Sequence, residues 1–102
     1  MPTTDYKTRL LSRLADTKYA AGYLNEALAE GEDVFLLALR DIVESRGGMT
    51  WLAKGTGLNR VTLYRLLSGR GNPTFASLSV IMRTVGLEIG CHPAPRHRRS
   101  AA

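Results

Sequence analysis

The apolar positions of this chain fall into short helical stripes punctuated by glycines and capping residues. Leu10, Leu11 and Leu14 are spaced as one face of a short first helix, or of a docked arm, between Asp5 and Ala15. Asp16-Thr17 offers an N-cap to a second helix. Its Ala20, Leu24, Ala27 and Leu28 form a stripe with Tyr23 beside it, and Gly31 supplies the left-handed end. Glu32-Asp33 caps a third helix over 34–46, with Phe35, Leu36, Leu39, Ile42 and Val43 on a broad apolar face and Gly47-Gly48 as its stop. Thr50 caps a fourth helix, 51–56, broken by Gly57. Asn59 caps a fifth, 60–68, closed by Gly69. Beyond the turn-rich Arg70-Gly71-Asn72-Pro73, Thr74 caps a sixth helix carrying Leu78, Ile81, Met82 and Val85, with Gly86 at its end. Leu87-Glu88-Ile89 alternates like a short extended piece. From His92 onward there are prolines and arginines but no core-forming residues, which predicts disorder. The fold class expected is all-α, a bundle of five to six helices.

Composition narrows the function. The longest purely apolar run, Val34 to Leu39, is too short to span a bilayer, and the N-terminus lacks the pattern of a signal peptide. Cys91 stands alone, which fits a reduced, cytoplasmic setting. No Ser/His/Asp pattern, phosphate-cradling loop or metal-ligand cluster is present, so neither enzyme activity nor a cofactor or metal is expected. The net charge of +5 is unevenly spread. Residues 1–45 hold five basic side chains against eight acidic ones, a net −3, whereas residues 46–87 hold six basic side chains and no acid. Such a split points to a polyanionic partner for the second half.

The window Thr50 to Ser68 localises that partner. Two short helices crossing through a tight turn need a small residue at the crossing and a backbone free to take positive φ, and Ala53 and Gly57 stand four apart. Leu52, Leu58, Leu63, Leu66 and Leu67 anchor the pair inward. Asn59, Arg60, Val61, Tyr64 and Arg65 are then held outward. Arginine bonds bidentately to guanine and asparagine to adenine, while valine packs on a thymine methyl, so these five are the candidate base readers. Thr50, Trp51, Lys54, Thr62, Ser68, Arg70 and Asn72 lie at helix ends or in the adjoining loop, where side chains hold phosphates and set orientation.

The window through Gly86 resembles the Cro/repressor-type (Xre-like) helix-turn-helix, a lambda-repressor-like fold. More widely, Tyr19 to Ile89 is similar to the addiction-module antidotes, the HigA-like antitoxins. The resemblance is carried by Tyr23-Leu-Asn-Glu-Ala-Leu-Ala-Glu-Gly31, Gly48-Met-Thr50, Leu58-Asn-Arg60, Leu63-Tyr-Arg-Leu-Leu-Ser-Gly69 and Gly71-Asn-Pro-Thr74, ending in Val85-Gly-Leu87. It implies a homodimer that binds double-stranded operator DNA, represses its own operon and neutralises a RelE/HigB-like mRNA-cleaving toxin. Such a protein is nucleoid-associated. A prophage-type helix-turn-helix regulator without a toxin shares the same DNA-reading half. Two positions depart from the family pattern. Trp51 stands where a phosphate-contacting glutamine is usual; its indole N–H can replace that contact, or its ring can act as a partly buried staple. Asn59 stands where serine is common.

Three segments are expected. Residues 1–31 form an N-terminal helical extension and candidate toxin-docking segment, with Tyr6, Tyr19, Tyr23, Glu26 and Glu30 as its contact residues. Residues 32–90 form the DNA-binding domain, with Leu78, Ile81, Val85, Leu87 and Ile89 as candidates for the dimer contact. Residues 91–102 form a basic tail containing Arg96, Arg98 and Arg99, which can add nonspecific affinity.

Overall fold

The computed structural model describes residues 2–95, with side chains from Asp5 onward. It is all-helical among these residues: α1 (Pro2–Leu14), α2 (Thr17–Glu30), α3 (Glu32–Arg46), α4 (Met49–Thr56), α5 (Arg60–Leu66) and α6 (Phe75–Thr84). Arg96, Arg98 and Arg99 lie outside the described residues.

Local chemistry sets most boundaries. Asp16 Oδ1 accepts from the Lys18 amide at 2.9 Å and opens α2. Thr74 Oγ1 accepts from the Ser77 amide at 3.1 Å and opens α6. Gly31 serves two helices at once, receiving the end of α2 and preceding the first residue of α3. Glu32 and Asp33 therefore sit inside the first turn of α3, where their charge favours the helix N-terminus, and not at the cap. Likewise α4 begins at Met49 behind Gly48, so Thr50 is a first-turn residue and not the N-cap. α5 ends at Leu66, two residues before the expected end. Residues 87–90 form no strand.

α3 is the central element, in contact with α1, α2 and α4; α4 in turn contacts α5 and α6. One core runs through all six helices. Leu14, Leu24, Leu39, Ile42, Leu52, Leu63, Leu67 and Ile81 are all within it. Residues 2–31 are thus built into the same core as residues 32–90, with Leu10, Leu14, Ala20, Leu24 and Ala27 contributed from the N-terminal side. Leu28, expected in the α2 stripe, is 55% exposed.

Polar ties reinforce the packing of the first three helices. Tyr23 Oη on α2 donates to Asp41 Oδ2 on α3 at 2.8 Å. Lys7 Nζ on α1 lies 3.3 Å from both Asp41 Oδ1 and Glu44 Oε1. Burial, and then the bond to Asp41, push the Tyr23 phenol well above its usual range. For Lys7, burial opposes the charge, but Glu44 and Asp41 outweigh it and hold the ammonium above its ordinary value. At the far end of α3, Arg46 donates from Nη1 to the Leu14 carbonyl at 2.7 Å and from Nε to the Val85 carbonyl at 3.1 Å.

Candidate nucleic-acid interface

The turn between α4 and α5 is made by a short set of local bonds. Gly57 takes a left-handed conformation, φ 77°, and its amide donates to the Ala53 carbonyl at 2.9 Å. Thr56 Oγ1 donates to the Leu52 carbonyl at 2.9 Å and accepts from the Leu58 amide at 3.1 Å, so one hydroxyl bridges the helix end to the turn. Asn59 then restarts the helix. Its Oδ1 accepts from the amides of Val61 at 2.7 Å and Thr62 at 3.3 Å.

Leu63, Leu66 and Leu67 bury one side of α5. The other side is fixed outward by helical geometry. Asn59, Arg60 and Arg65 are exposed, Val61 is 75% exposed and Tyr64 41%. The five candidate base readers therefore share one open surface. The amide oxygen of Asn59 is already engaged, because the two cap bonds occupy both of its lone pairs. Bidentate reading of adenine requires that same oxygen, so it competes directly with the cap.

The surrounding candidates divide into two groups. Thr50, Lys54, Arg70 and Asn72 are exposed or partly so at the flanks. Trp51, Thr62 and Ser68 are half-buried. Trp51 packs on the core beside Gly47, where an added Cβ would lie 2.9 Å from the Trp51 side chain. Ser68 Oγ donates to the Arg65 carbonyl at 3.0 Å and accepts from the Arg70 amide at 3.3 Å, which finishes the C-terminus of α5.

Two features of this region were not read from the sequence. Arg40, on α3, places its guanidinium 5.1 Å from the centre of the Tyr64 ring, within cation–π range. A third arginine thereby borders the face of α5. No local signal announces it, because the pairing depends on how α3 and α5 are juxtaposed. The second is the approach of α4 to α6 at Gly55, where a Cβ would meet Thr84 Cγ2 at 2.7 Å. Ala53, half-buried against the core, was expected at the crossing with α5; the close approach of Gly55 is a separate one, to α6.

The remaining candidates scatter. Ile81, Val85 and Leu87 are buried in the monomer, which leaves half-buried Leu78 and exposed Ile89 as the dimer candidates with free surface. Tyr23 is held by Asp41, while Tyr19 stacks beside it with ring centres 6.5 Å apart. Tyr6, Tyr19, Glu26 and Glu30 are exposed. Among the described residues no helix is long and apolar enough to cross a membrane, and no cluster of metal-ligating side chains occurs.

Residues 6–93 match the family described as probable addiction module antidote protein. Over 68 residues the chain is 43% identical to an uncharacterized protein of Haemophilus influenzae, a stretch covering 66% of this chain and 69% of that protein. No solved structure matches.

Proposed function

The chain belongs to the probable addiction module antidote family, a family of antidotes and not of enzymes, and on that footing we propose that it is an antitoxin that also represses its own operon. In this reading α4 and α5 are a helix-turn-helix of the Xre/Cro type, and α5 enters the major groove of operator DNA. The observation that carries the reading is the outer face of α5. Arg60, Val61, Tyr64 and Arg65 are all exposed on a helix anchored by buried Leu63 and Leu66. The stretch from Arg46 to Leu87 contains no acid that would repel phosphate. Lys54, Arg70 and Asn72, at the flanks, supply backbone contacts that set register.

One such head reads few base pairs. A homodimer with half-sites about one helical turn apart, roughly 34 Å, gives the specificity an operator needs. The toxin is a RelE/HigB-like mRNA-cleaving protein. Such toxins bind RNA and are basic, which suits the exposed Glu26 and Glu30 on α2.

Fluorescence anisotropy of the DNA upstream of the protein's own gene, titrated across salt concentrations, tests the repressor half. Tight, salt-dependent binding that exceeds binding to scrambled DNA is expected. Equal binding to both sequences overturns the operator reading. Co-purification with the product of the adjacent gene tests the antitoxin half, and lack of any complex overturns it.

A further inference from the structure

An apolar groove of about 480 Å³ opens between α2, the start of α3, the loop before α6 and residues 87–90. Its walls include Leu24, Leu28, Phe35, Pro73, Leu78 and Ile89. Phe75 stands at its rim, 73% exposed, with Leu28 55% and Ile89 41% exposed beside it. A phenylalanine so far out of the core loses the stabilisation of burial, and contiguous exposed apolar groups mark contact surfaces.

We propose that this groove is filled by a second copy of the chain, with each Phe75 seated in the groove of the other across a two-fold axis. A two-fold interface must be complementary to itself: residue i meets j, and j meets i. This surface meets that demand in two ways. A projecting aromatic and an apolar groove adjoin each other on one face, as knob and hole. The charges also match. Arg83 and Glu88 line a small recess together with Phe75 and Ile89 and form no salt bridge with each other. Across a two-fold axis one opposite pair becomes two reciprocal ion pairs.

None of Arg60, Val61, Tyr64 or Arg65 lines the groove, so a copy seated there leaves the α5 face open; Asn72 does line it, so in the dimer the flanking phosphate contacts are left to Lys54 and Arg70. The inference deepens the dimeric operator-binding reading and rests on it for its role. It keeps Leu78 and Ile89 among the dimer candidates and adds Phe75 at the exposed start of α6.

Sedimentation of the full chain, alone and with a labelled operator, tests it. The wild type is expected to be a dimer at micromolar concentration. Phe75→Glu is expected to be monomeric with unchanged helicity, because the residue is exposed in the monomer, and to melt without the concentration dependence that the dimer shows. Arg83→Glu or Glu88→Arg alone should raise the dimer dissociation constant at least tenfold, and the two together should restore it. A Phe75→Glu chain that remains dimeric, or a double charge swap no better than the single ones, overturns the proposal. So does a wild type that stays monomeric yet loses its toxin through Phe75→Glu, which gives the groove to the toxin. A Phe75-dependent dimer that ignores operator DNA instead leaves this interface standing and removes the operator reading.

Discussion

Arg46 Nε donates to the carbonyl of Val85 at 3.1 Å, joining the end of α3 to the end of α6. The same guanidinium reaches the Leu14 carbonyl at 2.7 Å at the end of α1. Helix C-termini leave carbonyls without intrahelical partners, and two such ends meet on one cation. Arg46→Met is therefore expected to destabilise the fold by about 2–3 kcal/mol, since it removes two charge-assisted bonds and leaves their acceptors partly buried. Arg46→Lys should recover only part, because one ammonium cannot reproduce the planar fork. Thermal melting followed by circular dichroism measures both; an Arg46→Met chain as stable as wild type would show the bridge to be idle.

Gly71 lies against the end of α5. A Cβ there would run into the carbonyl oxygen of Leu66, and backbone cannot step aside as a flexible side chain can. Gly71→Ala is expected to cost about 2 kcal/mol or more. Gly57 is different: a Cβ would meet nothing within 4 Å, so only its φ of 77° resists substitution. Gly57→Val should cost about 1–2 kcal/mol and Gly57→Asn distinctly less. Urea titration should rank the three variants, in rising cost, as Gly57→Asn, Gly57→Val and Gly71→Ala. A tolerated Gly71→Ala would mean that the loop relaxes.

These glycines show what the sequence made legible and what it hid. The stops at Gly31, Gly47 and Gly57, the caps at Asp16, Asn59 and Thr74, and the leucines at 52, 63 and 67 follow from near-neighbour chemistry and helical period, and α2 to α6 were readable from them, while the first stretch could be read as a helix or as a docked arm. Interactions between distant elements were not legible. Arg46 counted only toward the basic charge of the second half and Asp41 toward the acidic charge of the first, and Gly55 carried no local signal. Each has its role fixed by packing partners on another helix, as Lys7 with Asp41 and Gly55 with Thr84 illustrate. The outward face of α5 was legible because burial of Leu63 and Leu66 leaves geometry only one outcome. Arg40 beside Tyr64 was not.

The α1–α2–α3 cluster gives an alkaline limit to stability. The Tyr23 phenol and the Lys7 ammonium both hold their protons more tightly folded than unfolded. A raised folded value contributes stability that is fully present below the unfolded value, about pH 10 for tyrosine, and is lost as pH rises through the folded one. Melting temperature is therefore expected to fall above about pH 10. Tyr23→Phe should lower stability at neutral pH and flatten that decline. An alkaline arm unchanged in Tyr23→Phe would assign it to other groups.

Arg60→Ala and Arg65→Ala are each expected to cost about 1–3 kcal/mol on the operator and to relax the preference at one base pair, as loss of a base contact does. Arg70→Ala should weaken binding to every sequence alike and reduce the salt slope by about one. All three side chains are exposed, so melting should not change. Anisotropy titrations on operator and single-base variants separate the two behaviours. Uniform weakening by Arg60→Ala would move that arginine from the bases to the phosphates.

Asn59 tests whether a residue at a helix start can cap and read at once. With Oδ1 accepting from both Val61 and Thr62, its oxygen is saturated and only the amide NH₂ remains for a base. Serine caps as well as asparagine, so Asn59→Ser should melt like wild type, whereas Asn59→Ala should lose about 1 kcal/mol. If the residue is chiefly a cap, Asn59→Ser also retains operator affinity within a few fold. An Asn59→Ser chain that melts normally but binds the operator more than tenfold more weakly would instead show that the amide NH₂, which the cap leaves free and serine lacks, contacts the DNA.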